Sequence, residues 1–226
     1  VAKQEAPARV MTGPEYLEGA VMKTHARVVV IGGGVVGVSA LYHLAKKGWS
    51  DVVLIERKEL TSGSTWHAAG LLPLFNMSYS VGQIHKYSVK FYQELQEETG
   101  MNVGFRNVSN IRLAQTEDRM DEYRQYAGVA STIGVDVDFL TPDEVKDIWP
   151  LCTTEGLVGA IRHPSDGYIQ PADLTQALAR GARDRGAEIH RNTTVTGISR
   201  TATGEWKVTT DKGEITCEHV VSATGN

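Results

Sequence analysis

Residues 27–56, RVVVIGGGVVGVSALYHLAKKGWSDVVLIE, decide the fold. Residues 27–31 form an apolar, β-branched run, which is how a strand buried on both faces of a parallel sheet reads. Gly32, Gly34 and Gly37 follow at once in the spacing G-x-G-x-x-G. Val38, Leu41, Leu44 and Ala45 then recur at helical spacing, closed by Gly48. DVVLIE reads as a second buried strand that ends in Glu56. Each part has a physical task. Gly32 permits the tight turn out of the strand, Gly34 lets backbone N–H groups reach a pyrophosphate, and Gly37 lets the helix pack closely on the sheet. The helix N-terminus presents its open N–H groups and its dipole to two phosphates. Glu56 lies 19 residues beyond Gly37, where a carboxylate can accept hydrogen bonds from the adenosine ribose hydroxyls. The order strand, glycines, helix, strand, acid predicts a dinucleotide site, and it does not separate NAD from FAD.

The next stretch, RKELTSGSTWHAAGLL, bears on that choice. Thr61, Ser62, Ser64 and Thr65 supply hydroxyls, and Gly63 allows a tight turn. FAD is longer than its ADP half, so a second hydroxyl- and glycine-rich segment suits its path. The same residues also read as a polar loop whose serines cap the next helix. His67 is open between a packed turn, a general base, a metal ligand and a covalent attachment point. Metal ligation lacks support, since no Cys, Asp or Glu accompanies His67 at ligand spacing.

From Arg27 onward the chain resembles the dimethylglycine and sarcosine dehydrogenase family of D-amino-acid-oxidase-like flavoproteins. The resemblance rests on the stretches quoted above, on HPSDGYIQPADLTQALARGARDRGAEI, and on the closing VVSATGN. STWHAAG is its most specific element. The resemblance implies an α/β fold: a Rossmann-like FAD-binding domain with the start of an α+β substrate-binding domain inserted, the whole an incomplete piece of a longer flavoprotein. It implies that His67 is bonded to the 8α carbon of FAD, where neutral imidazole is a competent nucleophile near neutral pH. Ala68, Ala69 and Gly70 would let the isoalloxazine lie against the backbone. The cofactor-binding set it implies is Gly32, Gly34, Val36, Gly37, Glu56, Arg57, Thr61, Ser64, Thr65, His67, Ala68, Ala69, Gly70, Leu72, Val195, Thr224 and Gly225. The activity implied is oxidative demethylation of an N-methylated glycine, with oxygen or an electron-transfer flavoprotein as electron acceptor. A folate-binding region that captures the one-carbon unit as methylene-tetrahydrofolate would lie in the remainder of the same flavoprotein, and the catalytic residues are expected beyond Asn226. Two alternatives stand: another amine or amino-acid oxidase, and a non-catalytic regulatory subunit on the same scaffold.

Periodicity organises the rest. Residues 80–98 predict an amphipathic helix with Ile84, Tyr87, Phe91 and Leu95 on its apolar stripe, leaving His85 and Lys86 solvated. IRLAQ alternates as a strand, EDRMDEYRQYAGVASTIG predicts a helix, VDVDFL alternates again, and GLVGAIRHP is a strand. TPDEVKDIWP opens as a capping box with proline at the first helical position. Arg112 and Arg162 fall on these strands as candidates for a substrate carboxylate. After GYIQPADLTQALARGARDRG, a turn and a helix, come the short strands AEIHRN, TVTGISR, EWKVTTD and GEITCE, and then an apolar strand in HVVSATGN. Residues 25–80 and 163–226 are expected to form the incomplete FAD-binding domain, and 81–162 the substrate-domain portion.

Composition bounds the partners. The 226 residues are 41% hydrophobic and 22% charged, an ordinary globular balance with enough apolar material for a core. A net charge of −4 gives no footprint for nucleic acid. No run of eighteen apolar residues calls for a membrane span. Cys152 and Cys217 form neither a disulfide framework nor a metal spacing and suggest a reducing compartment, cytoplasmic or alternatively the mitochondrial matrix. Residues 1–24 show no periodicity and read as an extension.

Overall fold

The computed structural model describes residues 22–226, so the expected extension lies, up to residue 21, outside the described residues. Two compact units are present: the described residues up to Leu60 with Ala182–Thr224, and Thr61–Gly181 with Gly225–Asn226.

The first unit is built on β1 (His25–Ile31), α1 (Val35–Lys46) and β2 (Val52–Ile55). All four residues of β2 and the last four of β1 are buried, as a run without polar alternation requires. β9 (Glu188–His190), β10 (Val195–Arg200), β11 (Trp206–Thr210) and β12 (Gly213–Ser222) complete a six-stranded sheet in the order β10-β11-β12-β1-β2-β9. β12, β1, β2 and β9 are parallel, while β10, β11 and β12 form an antiparallel meander. Ala26, Val29, Ile31, Val53, Ile55, Val208, Ile215 and Cys217 fill one core cluster. Each fully buried Val, Leu or Ile contributes about 1.5–3 kcal/mol, which fixes the register that aims the β1–α1 turn. One sequence expectation is corrected here. GEITCE and the first four residues of HVVSATGN are a single ten-residue strand, which pairs with β1 from Thr216 to Ser222.

The second unit contains a 3-10 helix (Ser64–His67), β3 (Leu71–Leu72), α2 (Tyr79–Thr99), β4 (Arg106–Asn107), β5 (Asn110–Ala114), α3 (Glu117–Ile133), β6 (Asp138–Leu140), α4 (Pro142–Ile148), β7 (Gly159–His163), β8 (Gly167–Tyr168) and most of α5 (Pro171–Arg183). Its sheets run β3-β8-β4 and β5-β7-β6. The second of these is covered on both faces. Ala114 and Ile161 join α3 residues Met120, Tyr123, Tyr126 and Ala130, while Ala160, with Ile111 and Leu113, joins Val145 of α4. The capping box at Thr141 and Glu144 forms with both of its hydrogen bonds. On α5, Leu174 and Leu178 are buried as the spacing predicts.

The stripe on α2 differs from the expectation. Phe91 and Leu95 are buried, but Ile84 and Tyr87 are exposed. The buried face instead runs through Gly82, Val89, Phe91, Leu95 and Thr99. At Gly82 an added Cβ would lie 2.4 Å from Cδ1 of Ile133, so the absence of a side chain there lets α3 approach. His85 and Lys86 are not simply solvated either: His85 Nδ1 lies 3.1 Å from the Pro73 carbonyl, and Lys86 Nζ donates to the Ile133 carbonyl.

Candidate functional site

The glycine turn between β1 and α1 is sterically committed. Gly32 has φ +112°, and a Cβ on it would lie 2.3 Å from the Ala223 carbonyl oxygen. A Cβ on Gly37 would lie 2.0 Å from the Gly32 carbonyl oxygen. Gly34 is the N-cap of α1, no side chain caps the helix, and its first turn carries no acid. Val36 is exposed at the same terminus. The helix dipole and the N–H groups of that turn are therefore offered outward to an anion.

Glu56 is buried just past β2 and holds the turn. Its Oε2 accepts from the Gly33 amide at 2.6 Å and its Oε1 from the Lys58 amide at 2.8 Å. Each oxygen keeps a further lone pair for a hydroxyl donor. Gly33 is a residue the motif reading passed over. A Cβ there would lie 2.8 Å from Cγ of Glu56, so it too must be glycine for the acid to reach the turn. Beside Glu56 opens a cavity of about 230 Å³ within the first unit. It gathers Gly32, Glu56 with Arg57, Val195 and Thr224 from four separate places in the sequence. Thr194 and Ser222 also line it, and nothing in their local sequence marks them. An uncapped helix terminus, turns with no room for a Cβ, and a buried acid beside a cavity fit the ADP half of a dinucleotide.

In the second unit the hydroxyl- and glycine-rich stretch is a turn over 61–63 that leads into a short 3-10 helix, Ser64–His67. Thr61 has φ +71°. Ser64, Ala68 and Ala69 are exposed, and Thr65 is buried. His67 is exposed and stacks at 4.0 Å on Trp66. His67 Nδ1 lies 3.1 Å from the Gly63 carbonyl, which can only accept. The ring proton therefore sits on Nδ1, and Nε2 carries the lone pair. Gly70 has φ +73°, with a hypothetical Cβ 2.0 Å from the Ile169 carbonyl oxygen. Leu72 is half-buried and pairs with Gly167. Gly225 has φ +73°.

The two candidate arginines part company. Arg162 is corrected: its Nε and Nη2 both donate to Oδ2 of Asp138, so its hydrogen bonding is directed at an internal partner. Arg112 lies 4.2 Å over the ring of Phe75, and its buried Nε has no hydrogen-bond partner. Around Phe75 is a buried polar cluster that sequence reading missed. Tyr126 Oη donates to the Leu74 carbonyl at 3.0 Å and lies 3.1 Å from Nε2 of His163. Both oxygens of Asp166 accept from the Leu74 amide at 3.1 Å. Burial, reinforced by Arg112, pushes His163 down to about 4. Burial pushes Asp166 up to about 6 and Tyr126 up to about 12.

Comparison with known proteins points to one kind of protein. The FAD dependent oxidoreductase family matches residues 27–226. Mitochondrial dimethylglycine dehydrogenase of Rattus norvegicus is 41% identical over 203 residues, covering 90% of this chain and 24% of that protein. Mitochondrial sarcosine dehydrogenase of Homo sapiens is 41% identical over 174 residues, covering 76% of this chain and 19% of that protein. Among solved structures, L-proline dehydrogenase from P. horikoshii superposes with a TM-score of 0.84 at 30% identity, covering 90% of this chain and 54% of that one.

Proposed function

The chain belongs to the FAD dependent oxidoreductase family, and on that premise we propose that it forms part of an enzyme that demethylates an N-methylated glycine, dimethylglycine or sarcosine, with FAD joined covalently to His67. One observation carries the reading. STWHAAG sets His67 on an exposed turn with Nδ1 committed to the Gly63 carbonyl, which leaves Nε2 as the atom that bonds to the flavin. The identity of 41% to dimethylglycine and sarcosine dehydrogenases supports an N-methylated amine as substrate.

A bound flavin supplies a hydride acceptor for the N-methyl carbon of the neutral amine, leaving an iminium that water hydrolyses to formaldehyde and the demethylated amine. The chain's own residues bind and orient. The α1 terminus at Gly34, Val36 and Gly37 holds the pyrophosphate, with Gly32 and Thr224 closing the turn around it. Glu56 accepts from the ribose hydroxyls, Arg57 flanks them, and the backbone of Val195 meets the adenine. Thr61, Ser64 and Thr65 offer hydroxyls along the rest of the cofactor. Ala68, Ala69, Gly70 and Leu72 give the ring a surface without bulky polar groups. Oxygen or an electron-transfer flavoprotein takes the electrons, and tetrahydrofolate, where it participates, binds outside these 226 residues. The names of the mitochondrial relatives favour the matrix over the cytoplasm.

The test is anaerobic mixing of the full-length flavoprotein with dimethylglycine, sarcosine, glycine and proline, following flavin bleaching. Reduction is fastest with an N-methylated glycine, and its rate rises with pH through the pKa of the bound amine. Reduction by glycine or proline alone would move the protein to another amine oxidase class. No reduction by any amine would favour a regulatory subunit.

A further inference from the structure

The segment that follows His67 is mounted on the rest of the second unit by both backbone and side-chain hydrogen bonds. Leu74 is buried, and side chains from two distant elements take both of its backbone polar groups: Asp166 accepts from its N–H, and Tyr126 donates to its carbonyl. Two residues upstream, Leu71 and Leu72 pair with Tyr168 and Gly167, and the Ile169 amide donates to the Gly70 carbonyl at 2.8 Å. The 166–169 stretch is itself tied down. The Asp166 carbonyl accepts from the Ser109 amide at 2.9 Å and from Asn107 Nδ2 at 3.0 Å. A Cβ on Gly167 would lie 2.0 Å from the Arg106 carbonyl oxygen, so no other residue fits there. Asp166 thus joins the two halves of this mounting, its side chain holding 74 and its main chain holding 107–109.

We propose that Asp166 is a positioning residue for residues 68–72, setting their distance from the flavin ring through the backbone of Leu74. The proposal rests on the reading of 68–72 as the surface against which the ring lies. Asp166 is only 1% exposed, and its side chain is the acceptor that the structure supplies to the Leu74 amide, 3.1 Å away. It has the reach and the two oxygens to fix the amide of Leu74 in one place. Tyr126 fixes the carbonyl from the other side, with its hydroxyl oriented by His163.

The test uses the full-length holoenzyme and three variants: Asp166→Asn, Asp166→Ala and Tyr126→Phe. Three readouts are followed: the visible flavin spectrum, the fraction of flavin that stays with acid-precipitated protein, and hydrogen exchange of peptides covering 68–76. Losing the acceptor leaves a buried amide unpaired, so exchange of that segment rises about tenfold in Asp166→Ala. The covalent fraction falls by a similar factor, and the flavin bands shift. Asp166→Asn retains a carbonyl acceptor and restores all three readouts. Tyr126→Phe reproduces the spectral shift in part and serves where the alanine variant does not fold. A folded alanine variant with wild-type exchange and spectrum would overturn the proposal, and so would failure of asparagine to rescue. Should the parent protein hold no covalent flavin, the functional reading fails while the exchange arm still decides the positioning claim.

Discussion

Asp166 and His163 share one buried cluster, and their charge preferences act on stability in opposite directions. Asp166 has its carboxyl pushed from 3.8 up to about 6. Its contribution is fully present below pH 3.8 and is lost as pH rises through about 6, because the folded state holds the proton more tightly. His163 is pushed from 6.5 down to about 4. Its contribution is present above pH 6.5 and is lost as pH falls through about 4, because the unfolded state then binds the extra proton. At about 1.4 kcal/mol per unit, each is worth about 3 kcal/mol, and across the shared window the two nearly cancel. Single variants uncover them. Relative to the parent, Asp166→Asn becomes more stable by about 3 kcal/mol as pH climbs through that window, whereas His163→Gln becomes more stable by about 3 kcal/mol as pH descends through it. The assay is urea denaturation of the full-length protein at stepped pH, comparing each variant with the parent so that all other groups drop out. Variant and parent curves that run parallel from acid to neutral pH would refute the reasoning. Slopes of the same sign for the two variants would also refute it.

Three further outcomes follow from the geometry. Gly37→Ala puts a methyl 2.0 Å from the Gly32 carbonyl oxygen, so the purified protein should lose most of its flavin, read from the absorbance ratio at visible and ultraviolet wavelengths. Glu56→Gln leaves one carbonyl acceptor for two amide donors, so apoprotein should take up FAD about tenfold less tightly, measured by flavin titration before covalent attachment. Arg162→Met breaks a part-exposed pair with Asp138, so stability should fall by less than about 1 kcal/mol and the KM for dimethylglycine should not move.

Much of the first unit was legible because its signals are local. A fully apolar run, three glycines at fixed spacing and an acid after the second strand each act on their own neighbours, and the structure realises all of them within residues 25–56. Gly33 escaped because its constraint is set by the Glu56 side chain, not by its own turn. Thr194 and Ser222 escaped because only strand order brings them to the cavity. The stripe of α2 misled for a similar reason. A helix-wide period assigns a face without knowing that Gly82 permits the approach of Ile133, which turns Ile84 and Tyr87 outward. The Asp166, His163 and Tyr126 cluster was invisible because its bonds to Leu74 and to one another span 37 to 92 residues. Nor does a lone arginine in a strand reveal whether an acid faces it. Asp138 does so for Arg162 across the β6–β7 pair, whereas Arg112 lies over Phe75 with its Nε unbonded and reaches Asp166 through its charge.

The central claim is that His67 carries the flavin through Nε2. Its most direct test is acid precipitation of the full-length protein, followed by digestion and mass analysis of the peptide containing His67. The account predicts a peptide heavier by one flavin, with the fragment ions placing the bond on the imidazole, and no such peptide from His67→Ala. A bare His67 peptide with all flavin released into the supernatant would contradict it.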